Sequence, residues 1–76
     1  MEHREEELIR EHLTHDGELK ALYDQHMELK RKLQELRSKQ LPTADDEMEE
    51  KRIAKLKLAS KDKMMAILGR YQQAAR

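Results

Sequence analysis

Between Leu19 and Leu36 large apolar residues recur at Leu19, Leu22, Leu29, Leu33 and Leu36, and His26 fills the one gap in an alternation of threes and fours. In heptad terms Leu19, His26 and Leu33 share one seam position, and Leu22, Leu29 and Leu36 share the other. This is the narrow stripe by which one helix packs on another. The residues between (Lys20, Asp24, Gln25, Glu28, Lys30, Arg31, Lys32, Gln34, Glu35) are charged or long and polar, which gives a solvated outer face. A helix built this way needs a partner helix.

A second stripe follows at Met48, Ile53, Leu56, Ser60 and Met64, then Ile67 or Leu68, with Leu58 and Met65 on its flanks. Lys39-Gln40-Leu41-Pro42 separates the two. Pro42 biases Leu41 away from the helical region and lacks an amide hydrogen, so the first long helix stops before it. Thr43 with Asp46 three residues on reads as an N-cap and a variant capping box, and Asp45, Asp46 and Glu47 suit the positive end of a helix. Upstream, Leu8, Ile9 and Leu13 fall on one side of a short helix that breaks at Thr14-His15-Asp16-Gly17, where Asp16 is a plausible N-cap. The pattern predicts a short helix over 4–13, a long helix over 16–38, a turn over 39–43, a second long helix over 44–68 and a fraying tail over 69–76, in which Tyr71 could extend the apolar side of the second long helix.

A short turn between two amphipathic helices makes them antiparallel neighbours. Charge agrees: Lys30, Arg31, Lys32 and Arg37 fall near Glu47, Glu49 and Glu50, while Glu18, Asp24 and Glu28 fall near Lys55, Lys57, Lys61 and Lys63. The expected fold is all-α, one domain, an antiparallel two-helix hairpin of coiled-coil type with a short additional N-terminal helix. Its seam comprises Leu19, Leu22, His26, Leu29, Leu33 and Leu36 against Ile53, Leu56, Ser60 and Met64. Tyr23, Met27, Leu58 and Met65 lie beyond the seam as a candidate partner surface. Three arrangements would cover such flanks: two hairpins pairing into a four-helix bundle, methionines docking on another protein, or Leu8, Ile9 and Leu13 folding back over the open end.

Composition narrows the class. A chain of 76 residues has little core to bury, and 42% of its residues are charged. The apolar set is Leu, Ile, Met and Ala with no Val, Phe or Trp, which favours helix over strand. Sixteen basic and sixteen acidic residues cancel, so no global pull toward nucleic acid or anionic lipid is expected. There is no cysteine, hence no disulfide or thiol chemistry, and no apolar window has the length of a membrane span. The N-terminal run of charge is unlike a signal peptide. A cytoplasmic protein is expected.

Two segments resemble the YdcH-like family of small bacterial proteins, a domain of unknown function. Leu19-Lys20-Ala21-Leu22-Tyr23-Asp24-Gln25-His26-Met27-Glu28-Leu29 is similar to that family's aromatic-x-x-Leu-aromatic-Asp-x-His-x-x-Leu pattern. Lys55-Leu56-Lys57-Leu58-Ala59-Ser60-Lys61-Asp62-Lys63-Met64 is similar to its Lys-x-Lys-Leu-x-Leu-Lys-Asp-Glu-Met. Leu8-Ile9 and Asp16 match an upstream Leu-Ile and an Asp before the first motif. Leu19 stands where an aromatic is usual, Ser60 where Leu is usual and Lys63 where Glu is usual. The resemblance implies a bacterial cytosolic helical hairpin and carries no established activity or site residues.

Candidate chemistry is sparse. His26 in a leucine seam is either a pH-sensitive or ligand-contacting site or a polar group that fixes register, bonded across to Ser60 or reaching solvent beside Lys57; the second reading is preferred. His12 and His15, with Glu11 and Asp16 nearby, have metal-compatible spacing but no third fixed ligand, so surface or capping roles are expected and no metal is. Lys51, Arg52, Lys55, Lys57, Lys61 and Lys63 give the second long helix a basic side. Compensating carboxylates and the lack of interleaved aromatics favour a solvated face over a nucleic-acid surface. No nucleophile–base pair or phosphate loop is present. The expectation is a non-enzymatic structural or protein-interaction module with no cofactor and no small-molecule substrate, whose partner is another protein or a second copy. The alternative is a nucleic-acid-associated accessory protein.

Overall fold

A computed structural model describes residues 3 to 74, and these form three helices: α1 over His3–His12, α2 over Gly17–Arg37 and α3 over Ala44–Ala74. The described residues contain no strand. The molecule is a rod with extents of 50 × 20 × 16 Å and a radius of gyration of 14.8 Å, against about 11 Å for a compact chain of this length. Its long axis is essentially α3, whose 31 residues span roughly 46 Å at the helical rise.

The helix ends follow from local chemistry. Asp16, in extended backbone geometry, caps α2 by accepting from the Leu19 amide at 2.9 Å. At the other end the Ser38 amide donates to the Gln34 carbonyl at 3.0 Å and its hydroxyl donates to the Glu35 carbonyl at 2.8 Å. Thr43 and Asp46 form a reciprocal capping box: the Asp46 amide donates to Thr43 Oγ1 at 3.1 Å, and the Thr43 amide donates to Asp46 Oδ2 at 3.0 Å. Aspartate here does what glutamate does in the usual box. The α2–α3 connection holds Leu41 out in solvent, 90% exposed.

α2 and α3 pack closely. Their polar contacts join Asp16 to Tyr71, His26 to Ser60, Arg37 to Glu50 and Lys39 to Asp46. Buried apolar residues form two clusters. One contains Leu29, Leu33 and Ile53, with Leu36 and Ala54 beside it. The other contains Leu19, Met64, Ile67 and Leu68 together with Ile9 of α1, and Leu8, Leu13, Leu22, Tyr23, Met65 and Tyr71 pack around it. Leu8, Ile9 and Leu13 therefore cover the end of the α2/α3 pair near Tyr71, the fold-back arrangement.

Several expectations need correction. Leu56 is 40% exposed and Met48 70% exposed, whereas Lys57 is half-buried. The inward stripe of α3 thus runs Glu50, Ile53, Lys57, Ser60, Met64, Ile67, Tyr71, and a lysine stem stands where leucine was expected. α3 does not fray at Gly69 but continues to Ala74; residues 75 and 76 lie outside the described ones. Glycine in a helix interior costs about 1 kcal/mol relative to alanine, and packing of Ile67, Leu68 and Tyr71 against α1 and α2 outweighs that. Tyr23 and Met65 are half-buried against the cluster that α1 completes, so they are not open surface. Arg31 and Asp24 do not reach across to α3: Arg31 pairs with Glu28 and Glu35, and Asp24 with Lys20, all within α2.

The corrected seam gives a direct contrast. Leu33→Ala, at 3% exposure, is expected to cost about 2–5 kcal/mol, while Leu56→Ala is expected to cost under about 1 kcal/mol. Urea unfolding followed by far-ultraviolet circular dichroism measures both; equal losses would restore Leu56 to the seam.

Candidate functional site

Chemistry-bearing side chains gather at two places on the rod and leave a third place open. The first is the middle of the seam. His26 of α2 is 3% exposed and Ser60 of α3 is 4% exposed, and His26 Nδ1 lies 3.1 Å from Ser60 Oγ. Ser60 also donates its hydroxyl hydrogen to the Lys57 carbonyl at 2.8 Å. A serine hydroxyl has one hydrogen, so Oγ is left to accept and His26 donates from Nδ1. The pair is thereby satisfied, and the described residues contain no buried side-chain polar atom without a partner. This layer divides the two apolar clusters. Burial is the main reason the imidazole is held below its ordinary value of 6.5; the Lys57 carbonyl partly offsets that, and the Lys57 and Lys30 charges reinforce it.

The second place is where α1, the α1–α2 break and the last turns of α3 meet. The Tyr71 hydroxyl donates to Asp16 Oδ2, leaving Asp16 Oδ1 for the Leu19 amide. His12 stacks flat on Tyr71, with ring centroids 3.9 Å apart and planes 9° off parallel. His15 meets Tyr71 edge-on at 5.9 Å, and His12 Nδ1 lies 3.2 Å from His15 Nε2. The Tyr71 hydrogen bond, then the Leu19 amide, lower the Asp16 carboxyl from its ordinary 3.8, and the same contact raises the Tyr71 phenol above 10.0. This is a joint that ties three helix ends together. Glu11 points to solvent, and no group of three or more His, Cys, Asp or Glu among the described residues is placed to hold a metal. The sequence pointed to His12, His15 and Asp16, and to Tyr71 only as an extension of the apolar side of α3; its hydrogen-bond partner lies 55 positions away.

The third place is the surface of the α2/α3 pair. An open groove of about 620 Å³ runs between Glu18 and Leu22 on one side and Lys63, Ala66, Ile67 and Arg70 on the other. Its two rims carry opposite charge. On another flank Met27 is 38% exposed and Leu58 62% exposed. Of the basic residues of α3, Arg52 pairs with Glu49 and Lys61 with Glu5 at 3.7 Å, while Lys51, Lys55 and Lys63 are exposed. No helix among the described residues is long and apolar enough to cross a membrane.

Because the folded chain holds His26 neutral more strongly than the unfolded chain does, the unfolded state takes up a proton first as pH falls. The stability this represents is complete above pH 6.5 and declines as pH drops through that value toward the lower folded one. Urea midpoints measured on either side of 6.5 are expected to fall in the wild type by more than in His26→Gln. An identical pH dependence in the two proteins would contradict a buried neutral imidazole. The Asp16 joint has its own check: Tyr71→Phe is expected to move the Asp16 carboxyl resonance titration back up toward 3.8, and no movement would mean that the phenol does not hold the carboxylate.

No family model, no curated protein and no solved structure matches the chain.

Proposed function

We propose that this chain is a non-enzymatic helical module that acts by binding another protein, with α2 and α3 forming an antiparallel hairpin of coiled-coil type and α1 closing its open end. The observation that carries the reading is the exposure of Met27 and Leu58, which helical spacing puts on one flank of the rod; Leu41, Met48 and Leu56 are the other exposed large apolar residues. Large apolar side chains left in water on one flank, in a chain with little core to spare, are available to a partner. The polar layer at His26 and Ser60 supports the same reading, since a single polar pair inside an apolar seam fixes register. The resemblance of residues 19–29 and 55–64 to the YdcH-like family adds a bacterial, cytoplasmic setting to the proposal. A nucleic-acid accessory role rests on the exposed Lys51, Lys55 and Lys63 and predicts salt-dependent binding to generic DNA or RNA.

A photo-crosslinking residue placed at Leu58 in living cells is expected to give a discrete protein adduct. The same residue at Ala66, exposed beside the groove of the opposite flank, is expected to give none. Adduct mass separates a second copy from a different protein. No adduct at Leu58, or equal adducts at both positions, would reject the interaction reading.

A further inference from the structure

The way α1 sits on the rod shows what chemistry its neighbouring surface accepts. Along α3, Lys61, Met65, Leu68 and Gln72 form one stripe at helical spacing. α1 lies along it: Glu5 pairs with Lys61, Leu8 and Ile9 join the cluster containing Met65 and Leu68, and Leu8, Glu11 and His12 border Leu68, Tyr71 and Gln72. α1 is an acidic amphipathic helix, carrying Glu5, Glu6, Glu7 and Glu11 around its buried Ile9. Apolar residues go to the floor and a glutamate goes to a lysine on the rim.

The same stripe continues beyond Glu5 toward the start of α3, through Leu58, Ala54 and Lys51. On α2 the stripe of Tyr23 continues through Met27, Lys30 and Gln34. Helical spacing puts the exposed Met27 and Leu58 on this flank, with the half-buried Ala54 and Lys30 between them. Lys30 and Lys51 have no ion-pair partner among the described residues. At the far end Arg37, Glu47, Glu50 and Lys51 surround Ala54 in a cleft of about 300 Å³, with Arg37 held by Glu50 at 2.9 Å. The uncovered stretch from Leu58 to Lys51 is about 10 Å long at the helical rise, enough for roughly two turns of a docked helix.

We infer that this continuation of the flank covered by α1 takes an acidic amphipathic helix of a partner protein, whose leucine-like side chains cover Met27, Ala54 and Leu58 and whose carboxylates face Lys30 and Lys51. The inference rests on the interaction reading above and names the partner's chemistry. Helix-in-groove recognition of this kind places apolar anchors at i, i+3 or i+4 and i+7. A basic helix would meet the two unpaired lysines, Lys30 and Lys51, and such like-charge contact suppresses wrong partners. Nucleic acid would use the lysines and leave Met27 and Leu58 wet. A second copy's α1 has the right chemistry, but in each chain that helix is already seated with Ile9 fully buried. The Met27 thioether chain adapts its shape to whatever side chain arrives.

The test uses the full chain with methyl-labelled methionine and leucine, titrated with a stapled helical peptide of leucines at i, i+4 and i+7 on a glutamate background. The same peptide with lysine in place of every glutamate is the control. Saturable shifts are expected at the Met27 and Leu58 methyls. Binding is expected to weaken roughly tenfold or more for the lysine peptide and for Leu58→Glu, and to be unchanged for Leu56→Glu, an exposed leucine on the other flank. Equal binding of both peptides, no saturable shift, shifts centred on Leu19 and Leu68 as α1 is displaced, or concentration-dependent dimerisation in place of peptide binding would each overturn it. If the peptide fails while the Leu58 crosslink stands, the partner's chemistry is wrong and the interaction reading survives; if the crosslink also fails, both fall.

Discussion

The burial of Ile9 among Leu19 of α2 and Met64, Ile67 and Leu68 of α3 closes a surface that two helices alone leave open. Each helix of a pair can bury only a stripe, and in a chain this small the uncovered flanks threaten net stability. α1 has ten residues, too few to hold a helix in water by itself. It exists because Ile9 and Leu8 find an apolar floor, and that floor is dry because α1 lies on it. The joint of His12, His15, Asp16 and Tyr71 sets the angle at which this happens. Asp16 serves two elements at once, giving one oxygen to the first turn of α2 and the other to the phenol of α3. The last turns of α3, beyond a glycine, are helical for the same reason: they are the wall against which α1 and the break pack.

At the middle of the rod the order of contributions differs. His26 and Ser60 replace what could have been a pair of leucines, and they leave the apolar core in two pieces. A neutral hydrogen-bonded pair contributes less than the same volume of hydrocarbon. Its contribution is to specificity: only one alignment of α2 on α3 satisfies both side chains, and any slip strands a buried imidazole. The half-buried Lys57 stem covers the layer and its carbonyl anchors the serine. One end of the rod is therefore sealed by α1, the centre is pinned by a polar pair, and the remaining flank keeps Met27 and Leu58 in water.

The sequence made the local features legible because their causes are local. The leucine seam of α2, the Asp16 cap, the Thr43–Asp46 box and the stop before Pro42 are each set by residues within a few positions of one another. The stripe of α3 departs from expectation at one turn: Leu56 and Lys57 fit the spacing between Ile53 and Ser60 equally well, hydropathy favours Leu56, and the half-buried lysine stem takes the inward place. The extension to Ala74 was hidden because Gly69 is a local stop signal, whereas the packing that overrides it comes from α1, far away in sequence. Tyr71 on Asp16 and His12 is a purely tertiary arrangement. His12 and His15 were visible as a pair, but what they pack against was not. Tyr23 and Met65 read as open flank because nothing in the pattern decides whether a short upstream helix folds back.

The central claim is that α1, through Ile9, seals one end of the α2/α3 pair independently of the polar layer and the far cluster. Residue-resolved amide hydrogen exchange on Ile9→Asp tests it most directly. The account predicts that Leu19, Met64 and Leu68 lose protection while Leu29, Leu33 and Ile53 retain theirs, because local opening is confined to the cluster that lost its cover. Unchanged protection at Leu19 and Leu68, or a uniform loss across both clusters, would contradict it.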